Sequence, residues 1–127
     1  MKLYFAANER LASALKDALT NYFAEPEVKA IDFVQPYDEQ SERRLAAALS
    51  RDLRENPEEQ FIFLTDAFGS TADNTVRLLL ARSGLAERSI VVTGMNLPLA
   101  IKYYGLKDAF SLATIAEISE EPQRQVG

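Results

Sequence analysis

Histidine and cysteine are both missing from the 127 residues. Without cysteine there are no disulfide frameworks, thiolate zinc sites or cysteine nucleophiles. Without histidine, imidazole zinc ligands are excluded, and so is every histidine-based acid, base or nucleophile. Long apolar runs are missing too: nothing approaches the roughly 18 residues that a membrane-spanning helix needs. The opening MKLYFAANER reads as a strand rather than a signal peptide, because its apolar run is short and charges follow at once. Positive charge is in short supply, with 14 Lys and Arg against 19 Asp and Glu and a net charge of −5. That balance disfavours nucleic acid and anionic membranes as partners. A cytoplasmic protein is the expectation.

What is present is globular: 47% of residues are apolar and 26% are charged. The length fits one domain over residues 1–127, enough to bury a core without disulfides or metal. Two element types alternate. KLYFA (Lys2 to Ala6) is a buried strand by its apolar, aromatic run, and Leu11, Leu15, Ala18, Leu19, Tyr22 and Phe23 recur at helical spacing from Glu9 to Phe23. VKAIDFV (Val28 to Val34) is a second strand, followed by a turn at Pro36 and a helix from Asp38 to Glu55. That helix buries Leu45, Ala48, Leu49 and Leu53 and turns Arg43, Arg44 and Arg51 to water. FIFLT (Phe61 to Thr65) is the most apolar strand and therefore central. A helix over Thr71 to Ser83 follows, with Val76, Leu79 and Leu80 inward, then the strand SIVVT (Ser89 to Thr93). A helix from Asn96 to Gly105 and an extra C-terminal element near Ser111 to Ser119 precede a polar end. Strand and helix alternating in this way indicate an α/β fold with a parallel sheet covered on both faces.

In such sheets chemistry sits beyond the carboxyl ends of the strands. The turn after the third strand, DAFGST, offers Gly69 for a tight bend and Ser70 and Thr71 at the start of a helix, where unpaired amides favour an anion. The plainer reading is a helix cap worth about 1 kcal/mol. The lysine and spacing of a P-loop are absent. Asp66 is placed to orient a catalytic partner, bind a metal or accept a phosphoryl group. Asn96 with Pro98 reads as an ordinary helix start, and Asn8 as the cap of the first helix. Tyr103 and Tyr104 read as packing or interface residues.

Taken together, FLTDAFGSTADN and VTGMNLPLA, with IDFV and the first strand-loop-helix, resemble the mannose-type enzyme IIA domain of the bacterial sugar phosphotransferase system. The resemblance spans nearly the whole chain. It implies a three-layer α/β/α domain whose four-stranded, mainly parallel sheet runs in the order 2-1-3-4. It implies no cofactor or metal, a homodimer, and partnership with the phosphocarrier protein and a IIB domain, without nucleic acid or membrane insertion. It also implies a cytoplasmic place, peripheral to a membrane permease complex. In that family a histidine after the first strand relays phosphate to IIB. An aspartate after the third strand supports the histidine, and a Gly-Ser/Thr turn holds the phosphoryl group. Those roles fall on Asp66 and on Gly69, Ser70 and Thr71, with Asn74, Asn96 and Pro98 as structural support.

The histidine position itself holds Asn8, whose amide nitrogen is delocalised and not nucleophilic. Ser70 stands for a second glycine and Ala72 for a proline, and Asp73 adds a carboxylate expected to face the phosphoryl group. At about 4 Å such a like-charge pair costs about 1 kcal/mol in water and more where solvent is excluded. The expectation is a diverged, regulatory enzyme IIA-like protein without phosphate relay. The alternatives are a working component phosphorylated on Asp66, for which Ala6 and Ala7 leave no metal site on the first strand, and an anion- or small-molecule-binding domain unrelated to sugar transport.

Overall fold

The computed structural model describes residues 1–35 and 39–126, with side-chain surroundings through residue 119. The turn expected at Pro36 and the helix start expected at Asp38 lie outside the described residues. Strands β1 (Lys2–Asn8), β2 (Val28–Phe33), β3 (Phe61–Thr65) and β4 (Ser89–Thr93) alternate with helices α1 (Leu11–Leu19), α2 (Glu39–Glu55), α3 (Thr71–Arg82) and α4 (Leu97–Leu106), and α5 (Leu112–Val126) closes the chain. All strand pairs are parallel and the order is β2-β1-β3-β4, as expected.

The period-two geometry of β1 divides the core. Leu3, Phe5 and Ala7 face a cluster with α1, α4 and α5, while Tyr4 and Ala6 face α2 and α3. All five residues of β3 are buried, which explains its unbroken apolar run. Burying each large side chain such as Phe61, Phe63 or Leu64 contributes roughly 1.5–3 kcal/mol.

Three elements differ from expectation by two residues or more at one end or both. β1 continues to Asn8, which pairs with Phe33, so Asn8 ends a strand instead of starting a helix. α1 is shorter at both ends. Glu9 takes a left-handed φ of 57° before it, and beyond Leu19 the amides of Thr20, Asn21 and Tyr22 bond three residues back. Tyr22 is consequently exposed, as is Leu11 at the other end, and Ala12 takes the inward place. α5 runs past Ser119 to Val126, across Pro122, where the expected element stopped at Ser119. No helix among the described residues is long and apolar enough to cross a membrane.

Candidate functional site

Strand order reverses between β1 and β3: β1 leads to β2 on one side, and the chain then returns to β3 on the other. The carboxyl ends of those two strands flank the crevice that parallel sheets use for ligands. Ala6 pairs with Thr65, so Asn8 and Asp66 leave the sheet side by side.

Asp66 gathers the turn around itself. One carboxylate oxygen accepts the backbone amide of Asn8 at 2.9 Å. The other accepts the Ala67 amide at 3.0 Å and the Ser70 hydroxyl at 2.6 Å. Ser70 is the N-cap of α3, its oxygen accepting from the Asp73 amide at 3.1 Å. Gly69 sits at φ +82°, where any side chain is strained although space is open around it. Asn74 donates its side-chain amide to the Gly69 carbonyl at 3.1 Å and so pins the same bend. Thr71 opens α3 and is exposed.

Asn8 does not cap α1. Its side-chain carbonyl accepts the Ala72 amide at 3.2 Å, reaching from the end of β1 to the first turn of α3. One of the helix amides that would greet an anion is thereby satisfied by the protein itself. Alanine at position 72 makes this bond possible, since a proline there would have no N–H to donate to Asn8.

The cap of α1 comes from a neighbouring strand. Asp32 on β2 accepts the Ser13 amide at 3.0 Å and the Ser13 hydroxyl at 2.6 Å. Sequence reasoning missed this role, because cap and helix are 19 positions apart. Local spacing carries no such signal.

Asp73 also departs from expectation. Instead of facing the crevice it is fully buried beneath the turn, accepting the Thr65 hydroxyl at 2.8 Å, the Gly69 amide at 3.0 Å and the Arg77 guanidinium at 3.0 Å. Burial alone raises a carboxyl pKa, but the bonds from Gly69, Thr65 and Arg77 outweigh it and hold Asp73 below the usual range. Its charge is spent on shaping the bend, so it does not oppose a ligand as the sequence suggested.

Asn96 and Pro98 lie at the end of β4. Asn96 caps α4 by accepting the Leu99 amide at 2.9 Å, with Pro98 in the first turn. The Met95 amide donates to the Thr65 carbonyl at 2.9 Å, tying this loop to the end of β3. The structure thus brings Asn8, Asp66, Ser70 and the α3 N-terminus into one hydrogen-bonded group. Asn74 pins the bend beside that group, whereas Asn96 bonds only within its own loop and helix start, at Gly94 and Leu99.

The geometry agrees with comparisons to known proteins. The family model described as the PTS system fructose IIA component, the mannose-type enzyme IIA, matches residues 7–120. Among solved structures, the phosphotransferase component EIIA from Streptococcus agalactiae has a TM-score of 0.76 at 17% identity, covering 99% of this chain and 94% of that one. The PTS IIA protein associated with the fucose utilization operon of Streptococcus pneumoniae has a TM-score of 0.71 at 18% identity, covering 99% and 96%. A sigma-54 interaction domain protein from Enterococcus faecalis has a TM-score of 0.74 at 15% identity, covering 99% and 92%. At such identities these structures show the fold. No curated protein sequence matches. With the family model spanning residues 7–120 and the sheet order and strand-end loops in accord, the chain belongs to the mannose-type enzyme IIA family of the sugar phosphotransferase system.

Proposed function

We propose that this protein is a phosphotransferase-system enzyme IIA that keeps its family's site framework but does not carry a phosphoryl group. It acts instead as a regulatory or binding component, with residues 1–127 working as one domain. The observation that carries this reading is the bond from Ala72 to Asn8. An uncharged, non-nucleophilic amide stands where the family's relay needs an imidazole, and it occupies a helix amide that would otherwise meet phosphate. Asp66 is disfavoured as a replacement acceptor, because Asn8, Ala67 and Ser70 all donate to its carboxylate, and hydrogen bonds stabilise that charge and lower its nucleophilicity. Gly69, Ser70 and Thr71 keep the shape of an anion-holding turn, with Asn74, Asn96 and Pro98 supporting it. The family match favours this reading over an anion-binding domain unrelated to sugar transport.

Since neutral Asn8 lacks the charge of a phosphorylated site, the surface presented to partners is permanently that of the unphosphorylated state. The partners are the phosphocarrier protein and a IIB domain, met in the cytoplasm beside a permease, with the protein itself a homodimer. Titration with the phosphorylated phosphocarrier protein tests the reading. A complex should form while the carrier keeps its phosphoryl group at the rate of its own slow hydrolysis. Prompt loss of that group on mixing would refute it.

A further inference from the structure

The two edges of the sheet are built differently. β2 carries Lys29 and Asp32, bonded to Asp52 and to the start of α1, and its Val28, Ile31 and Phe33 are buried. β4 carries neither charge nor proline, and none of its five residues is buried. Ile90, Val91 and Val92 stand half-exposed in a row, on a strand whose outer N–H and C=O groups have no strand partner. Charged residues and proline are common devices that keep an edge from pairing, and β4 has neither. Among the described residues no strand follows it, and α5 is a helix. On the α3 face a hollow of about 290 Å³, lined by Arg77, Leu80, Ala86, Ser89 and Val91, leaves space beside the edge.

The order of residues along β4 says what fits it. Val91 turns to the face covered by α2 and α3, while Ile90 and Val92 turn to the face of α4 and α5. Opposed residues of an antiparallel pair share a face, so two copies related by a two-fold axis place one residue opposite itself. With Val91 there, Ile90 faces Val92 and Ser89 faces Thr93 on both sides of the axis, and the whole strand is used. Apolar meets apolar, and hydroxyl meets hydroxyl. Arg88 then falls opposite Gly94, so no like charges meet along the joint. Centring on Ile90 would instead set Val92 against Arg88, and centring on Val92 would set Ile90 against Gly94. This neutral, self-matching pattern selects a second copy of the chain as the occupant. We propose that the homodimer stated above forms here: two copies join along β4, antiparallel about Val91, and their sheets become one. The inference rests on that homodimer and not on the state of Asn8.

The chain has no cysteine, so single cysteines report the register directly. Val91→Cys places two thiols across the two-fold axis, where opposed Cα atoms lie about 4.5–5.5 Å apart and within disulfide reach. Mild oxidation should cross-link it into a dimer. Ser89→Cys should not cross-link, because its two copies would lie about 14 Å apart along the strands. By light scattering the native chain should reach twice its mass of 14.2 kDa. Val91→Lys, which sets two ammonium groups face to face, should weaken association by roughly tenfold or more. Should that variant not fold, the cysteine pair carries the test alone. A monomer at every concentration, equal cross-linking at both positions or undiminished association of Val91→Lys would each overturn the proposal. A dimer that Val91→Cys fails to cross-link would overturn it too, while leaving the homodimer itself in place. None of these results bears on whether Asn8 carries phosphate.

Discussion

Asp52 and Asp73 are both buried carboxylates paired with a cation, yet they do different work. Asp52, on α2, holds side chains: it accepts the Tyr4 hydroxyl and the Lys29 ammonium, and so ties α2 to β1 and β2. Asp73, on α3, holds a loop: the Gly69 amide and the Thr65 hydroxyl converge on it, with Arg77 balancing its charge. The first network fastens layers together far from the crevice. The second fixes the bend beside which Asn8 and Asp66 meet. Buried charge in this fold therefore serves two ends, assembly and the shaping of a site, and mutations should separate them.

The largest effect is expected at Asp52. Asp52→Ala strands the Tyr4 hydroxyl in the core and removes the partner of Lys29, at a cost of about 3 kcal/mol in urea unfolding. The crevice amides should stay where they are in an NMR spectrum. The same network sets the alkaline limit. Burial first, and then the bond to Asp52, push the Tyr4 pKa well above the ordinary tyrosine value. With the folded pKa raised, stability is fully present below the unfolded value of about 10 and is lost as pH climbs beyond it. Tyr4→Phe should flatten that alkaline decline.

Asp73→Ala comes next, at about 2 kcal/mol, and it should move the amides of Gly69 and Ser70 where Asp52→Ala does not. Its pH signature lies at the other end of the scale. The folded pKa of Asp73 is lowered, so the stability it contributes is present above the unfolded value of about 4 and lost as pH falls through the folded one. Asp73→Asn should flatten the acid limb and leave the alkaline limb alone. Asp108, lowered mainly by Lys107, adds to the acid limb as well, but its exposed carboxylate is screened and its share is small.

Gly69→Ala should cost roughly 1–2 kcal/mol through its left-handed backbone alone, because nothing lies within 4 Å of an added methyl group. Asn8→Ala is the mildest, at about 1 kcal/mol, since it frees a single helix amide at a partly open position. If Asn8→Ala proved as costly as Asp73→Ala, Asn8 would belong to the framework of the turn and not to its occupancy.

Most of the fold was legible because its signals are local. The apolar runs of β1 and β3, the helical spacing of Leu45 and Leu49, and the Ser70 and Asn96 caps each declare themselves within a few residues. The sheet order was legible through the resemblance. What escaped were long-range bonds made by short polar side chains. Asp32 caps a helix from another strand, Asp52 turns inward from a helix face that reads as solvated, and Asn8 reaches α3 across 64 positions. The inward turn of Asp73 was hidden for a related reason: a carboxylate in a helix's first turn normally faces water, and only the bend at Gly69 brings a backbone amide for it to accept.

The most direct measurement is intact-mass analysis of the native protein after incubation with phosphoenolpyruvate, enzyme I and the phosphocarrier protein, run beside Asn8→His. The native chain is predicted to gain no phosphoryl group while the carrier is fully charged. A stoichiometric phosphoryl adduct on the native chain, at Asp66 or anywhere else, would contradict the account.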